Sequence, residues 1–128
     1  MSQRSGREVA RAGSASGAGA AHWWAERVSA MALVPLSLWF LVALVRLPLT
    51  DYAAVTIWIA SGWNPVWFAL LLLSLCRHAQ LGIQVVIEDY VQAPAVKVAA
   101  LLFNSAAQLL LLVAGLYAVL RIALRGGL

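Results

Sequence analysis

The sequence predicts an all-α membrane protein of three transmembrane helices, and three observations point there. Hydrophobic residues fill 63% of the 128 positions and charged residues only 11%, against about a quarter charged in an ordinary soluble domain. The mean hydropathy is +0.86. The apolar residues are also not scattered: they fall in the three runs 28–47, 66–87 and 95–120. At a rise of about 1.5 Å per residue each run can cross a hydrocarbon core of about 30 Å. A soluble domain this short buries too little of its chain to hide so much apolar surface, and the length allows a single domain.

The first span, Val28 to Leu47, follows Arg27 and carries Pro35, which removes one backbone hydrogen bond and predicts a kink. The segment Thr50 to Trp63 comes next. Asp51 can cap a short helix through Ile59, and Trp58, Trp63 and Trp67 read as an aromatic belt at one membrane face. The second span, Val66 to Ile87, starts at Asn64, a potential cap, with Pro65 suited to the first helical turn. An acidic turn from Glu88 to Pro94 separates it from the third span, Ala95 to Leu120, which Arg121 and Arg125 close. Residues 1–21 are rich in Gly, Ser, Ala and Arg and hold no apolar stretch of the secretory-signal kind. They read as a flexible cytoplasmic tail, ahead of a mitochondrial transit peptide, leaving 22–128 as the membrane domain.

The net charge of +4 does not indicate nucleic acid. The basic residues flank apolar runs and form no stripe interleaved with aromatics, as membrane topology requires. Arg4, Arg7, Arg11, Arg27 and Lys97 lie on one side and Arg46, Arg121 and Arg125 on the other, which places the N-terminus in the cytoplasm. Cys76 lies inside an apolar run and reads as a packing residue. There is no phosphate-binding glycine loop and no internal repeat.

Polar residues inside a span are costly, so they are functional candidates. The second span carries Arg77, His78, Gln80 and Gln84. At about 100° per residue, His78, Gly82, Val85 and Asp89 share a stripe, and eleven residues put Asp89 roughly 16 Å from His78 along the axis. Gly82, one turn from the imidazole, leaves a flat slot that a planar macrocycle bound through the imidazole nitrogen would need. From the residues alone two readings stand: His78 ligates a haem, or it bridges to a neighbouring helix. Arg77 and Gln84 lie on an adjacent stripe that faces a partner subunit or a water-lined cleft. His22 is set a full span from the bilayer centre, at the wrong depth to ligate.

The string His78-Ala79-Gln80-Leu81-Gly82-Ile83-Gln84-Val85-Val86-Ile87-Glu88-Asp89-Tyr90-Val91 closely resembles the signature of the succinate dehydrogenase membrane anchor, the small D subunit of bacterial complex II: a His, a Gly four residues on, and an Asp-Tyr pair eleven and twelve residues after the His. The stretch His22-Trp23-Trp24-Ala25-Glu26-Arg27-Val28-Ser29-Ala30 resembles the family's first span. The resemblance implies a helical bundle shared with a partner anchor subunit. It implies that His78 is an axial ligand of haem b, that Tyr90 hydrogen-bonds a ubiquinone carbonyl with Asp89 beside it, and that Arg27 and Gly82 lie near the haem propionates or the quinone. The implied partners are a C-type cytochrome b556 anchor subunit, an iron–sulfur subunit and a flavoprotein subunit, assembled in the bacterial inner membrane rather than the mitochondrial one. The chain would not be an enzyme on its own; it would anchor a quinone-reducing enzyme of the tricarboxylic acid cycle and respiratory electron transport. Two alternatives are a structural or assembly subunit without haem and a small proton-relay transporter subunit.

Overall fold

A computed structural model describes the backbone of residues 2–126 and the side chains of residues 17–125. Four helices follow in order: α1 (Ser2–Arg46), α2 (Tyr52–Ala60), α3 (Asn64–Tyr90) and α4 (Pro94–Gly126). No strand occurs among the described residues. Gly17–Arg46, Asn64–Tyr90 and Pro94–Arg125 are each long and apolar enough to cross a membrane, so the three spans stand.

Boundaries differ in instructive ways. Helix α1 begins at Ser2, where composition suggests a flexible tail; its Ala and Arg residues favour helix enough to carry the backbone back through the Gly-Ser stretch. Helix α3 runs on through Glu88, Asp89 and Tyr90 and ends where the Val91 N–H meets the Ile87 carbonyl at 2.9 Å. The acidic residues are therefore the last turn of a helix and not a loop. Only Val91, Gln92 and Ala93 remain to join it to Pro94, which opens α4 because its ring fixes a helical φ and lacks only a donor that would be spare there.

Asp51 caps α2 as its position predicts, accepting from the Ala54 N–H at 3.1 Å. Asn64 does not cap α3. Its amide instead donates to the Trp58 carbonyl at 2.7 Å and to Ser61 Oγ at 3.2 Å, closing the C-terminal end of α2 while Pro65 occupies the first turn of α3. Gly62, at φ 55°, takes the left-handed step between the two helices, a conformation that costs glycine little. Of the proposed aromatic belt, Trp63 and Trp67 are exposed, but Trp58 turns inward. It stacks on Trp39 at 5.6 Å and meets Phe68 edge-on at 5.7 Å, while Trp39 and Phe40 meet Phe68 at 5.3 and 5.7 Å. This cluster fastens α1, α2 and α3 at one end.

Helix α3 is the middle member of a row: it packs against α1 on one side and α4 on the other, with α2 laid against α4 and α3. Among the described residues α1 and α4 do not meet. The row buries little, its apolar core being Leu36, Ala43, Leu71, Cys76 and Leu81. Only 17%, 6% and 0% of the most apolar windows of the three spans are buried by the chain itself. Lipid or other subunits must cover the remainder. Cys76 is free and buried, a packing residue as expected. At the α3–α4 contact Gly115 lets the helices approach so closely that a Cβ there would lie 2.9 Å from Leu72 Cδ1, the use membrane helices make of small residues.

Candidate functional site around His78

Helices α1 and α3 run antiparallel in a register shown by two sets of contacts. Phe40 meets Phe68. Eleven residues back along α1 and ten forward along α3, Ser29 meets His78, with Ser29 Oγ 3.3 Å from Nδ1. The same hydroxyl donates to the Glu26 carbonyl at 2.9 Å. Ser29 is 6% exposed, one of two buried polar residues among the described ones, and its partner His78 is half-buried. Nε2 of His78 makes no hydrogen bond among the described residues. One turn on, Gly82 is exposed and a Cβ built there meets nothing within 4 Å. The flank predicted to be flat is thus open.

The next stripe of α3 faces α4. Arg77 donates to Gln80 Oε1 at 3.2 Å, Gln80 Nε2 donates to Ser105 Oγ at 3.2 Å, and the buried Asn104 donates to the Gln80 carbonyl at 3.0 Å. Gln84 is occupied separately, donating to Glu88 at 2.9 Å. These contacts account for Gln80 and Gln84 as structural groups, whereas Arg77 remains exposed on the chain.

Asp89 and Tyr90 sit at the end of α3, Tyr90 81% exposed. Three grooves among the described residues, of about 620, 300 and 500 Å³, lie between α2 and α4, between α1 and α2, and between α3 and α4, and His78, Asp89 and Tyr90 line none of these three. Arg27 stands two residues from Ser29 on α1, its guanidinium 4.9 Å over the Trp23 ring. The structure therefore brings His78, Ser29 and the Gly82 flank together, places Arg27 nearby along α1, and leaves Asp89 and Tyr90 about three turns away on an open end.

His22 departs from its expected position. It lies seven residues before Ser29, so only about 10 Å of helix, not a full span, separates it from the level of His78. Its Nε2 is buried without a hydrogen-bond partner among the described residues. Also among the described residues, no group of three or more His, Cys, Asp or Glu is placed to hold a metal ion. His78 could offer a single imidazole nitrogen to a metal-bearing group completed by another chain.

Fold and site together define a polytopic helical membrane protein that holds His78 at the contact of its first and third helices. Residues 3–120 match the profile of the succinate dehydrogenase/fumarate reductase transmembrane subunit, and the chain belongs to that family. Over 73 residues it is 33% identical to the succinate dehydrogenase hydrophobic membrane anchor subunit of Rickettsia bellii (strain RML369-C), a match covering 57% of this chain and 58% of that relative.

Proposed function

We propose that the chain is the D-type anchor of a succinate:ubiquinone oxidoreductase. It docks the flavoprotein and iron–sulfur subunits on the membrane, shares haem b with a C-type cytochrome b subunit, and helps form the ubiquinone-reduction site. It lies in a bacterial inner membrane with its N-terminus in the cytoplasm. Succinate is oxidised elsewhere in the complex, and electrons reach this end through partners.

The observation that carries the reading is the state of His78: half-buried in mid-span, held at Nδ1, free at Nε2, with an open flank at Gly82. A neutral imidazole nitrogen is a suitable axial donor for haem iron, and a flat unfilled flank suits a macrocycle. When bound, the haem would supply a one-electron store. The chain's own residues do the rest. His78 would hold the group through Nε2, and Gly82 would keep side-chain bulk away from it. Arg27 offers a cation near the same level of α1 for a propionate or the quinone pocket. At the end of α3 the exposed Tyr90 hydroxyl donates to a quinone carbonyl oxygen and stabilises the charge that develops there. Asp89, next to it and open to water, passes a proton to the reduced oxygen.

The test is purification of the complex in mild detergent, with subunit identification, a reduced-minus-oxidised spectrum and an assay of succinate-driven ubiquinone reduction. The reading expects a b-type spectrum that His78→Leu abolishes or perturbs. The Ser29–His78 bond also favours a second reading, in which His78 only ties α1 to α3. That reading expects no haem spectrum in the assembled complex, and its being right would sink the haem assignment.

A further inference from the structure

Ser29 carries a role that goes beyond joining two helices. A serine hydroxyl has one proton to give and two lone pairs to receive with. Here the proton is committed: Ser29 Oγ donates to the Glu26 carbonyl at 2.9 Å, one turn back on α1. Toward His78 the oxygen can then only accept, and the atom it faces at 3.3 Å is Nδ1. With the hydroxyl proton on the Glu26 carbonyl, the nearer of the two acceptors, Nδ1 carries the hydrogen. A neutral imidazole has one N–H, so Nε2 is the bare nitrogen.

The surroundings favour this assignment. Ser29 is buried, so water does not compete for its lone pair. The aromatic contacts of Trp39 and Phe40 with Phe68 hold α1 and α3 in the register that sets Ser29 opposite His78. The arrangement is the one metal-ligating histidines use generally: the remote ring N–H bonds an oxygen acceptor, which sets the tautomer, orients the ring and raises the donor strength of the bound nitrogen.

We propose that Ser29 is the positioning residue for His78, selecting the Nδ1–H tautomer, aiming Nε2 away from α1 toward the open side of the bundle, and strengthening Nε2 as a donor to iron. The proposal rests on the haem-ligand reading of His78. A more strongly donating imidazole stabilises ferric over ferrous iron, so the bond lowers the midpoint potential of the haem.

The experiment uses the whole complex in mild detergent with Ser29→Ala, Ser29→Thr and His78→Leu. Measured are haem content, the midpoint potential by redox titration, and the electron paramagnetic resonance spectrum of the oxidised haem. Ser29→Ala is expected to keep the haem, raise its potential and broaden or shift its low-spin signal. Ser29→Thr, which keeps the hydroxyl, is expected to return both to wild type. If Ser29→Ala fails to assemble, Ser29→Cys keeps the volume with a weaker acceptor and is expected to shift in the same direction, by less. Wild-type potential and resonance in Ser29→Ala, alongside a spectrum lost in His78→Leu, would overturn the role of Ser29 and leave ligation standing. A shift that Ser29→Thr does not reverse would mark a packing effect and overturn it too. A haem spectrum unchanged in His78→Leu would instead remove the ligand itself.

Discussion

Tyr90 is the residue at which the smallest chemical change separates two roles. Phe keeps the ring and deletes one hydroxyl, and with the side chain 81% exposed nothing in the packing of the chain resists the exchange. If the hydroxyl donates to a quinone oxygen, Tyr90→Phe is expected to slow ubiquinone reduction roughly ten- to a thousandfold. Succinate oxidation with a soluble dye that accepts electrons upstream should be unchanged. Wild-type ubiquinone turnover in this variant would show the tyrosine to be an interfacial residue only. Asp89→Asn is expected to be milder, because water can reach the same position and carry protons. The relative placement of His78, Gly82 and Asp89 is legible in the sequence because they share one helix, where spacing fixes position, while Tyr90 is singled out by the resemblance. The placement of Ser29 and His22 is not legible in this way. A serine in an apolar helix can bond its own backbone or face lipid, and only the α1–α3 register, set by residues ten positions away, shows which nitrogen of His78 it meets. The same register corrects the depth of His22.

Among the elements, α3 and α4 are joined by one small residue and one polar relay, and these are separable. Gly115→Ala puts a Cβ against the mobile tip of Leu72, which can rotate away, so a minor effect is expected. Gly115→Leu has no such relief and is expected to part the helices and lower the thermal midpoint of the detergent-solubilised complex by several degrees. Asn104→Leu leaves the Gln80 carbonyl without its added donor. Interhelical hydrogen bonds in membranes average only about 0.6 kcal/mol, so its effect should be the smaller of the two; the reverse order in a melting experiment would show that the polar relay, not close approach, holds this pair. The existence of each helix is legible in the apolar runs, and the start of α2 is legible because an Asp cap acts within its own first turn. The ends of α2 and α3 are less so. Asn64 had two local uses open to it, and choosing the Trp58 carbonyl depends on how the chain turns at Gly62.

For the whole molecule the question is what covers it. A row in which α1 and α4 do not meet among the described residues, with hardly any of its most apolar windows buried, can sit in lipid, since lipid is as apolar as leucine. Topology is the simpler test: reporter fusions are expected to place the N-terminus in the cytoplasm and the C-terminus outside, and an outside N-terminus would also move Tyr90 and Asp89 to the wrong face. Arg77 sets the harder condition. It is exposed in mid-span, donating to Gln80 at 3.2 Å, and a charged residue facing the bilayer centre costs about 2.5–3.5 kcal/mol even on the insertion scale. A partner subunit on that side would remove the cost by supplying an acceptor or a wet cleft. Two responses to Arg77→Leu follow. If the guanidinium faces a partner, the change should lengthen the lifetime of the chain produced alone, by relieving a lipid-exposed charge, and should lower its yield in the assembled complex. If it faces lipid throughout, both should rise or stay level. Pulse-chase lifetime of the lone chain, compared with co-purification of the other subunits, reads the two directly. A variant that assembles as well as wild type would place the partner elsewhere on the row.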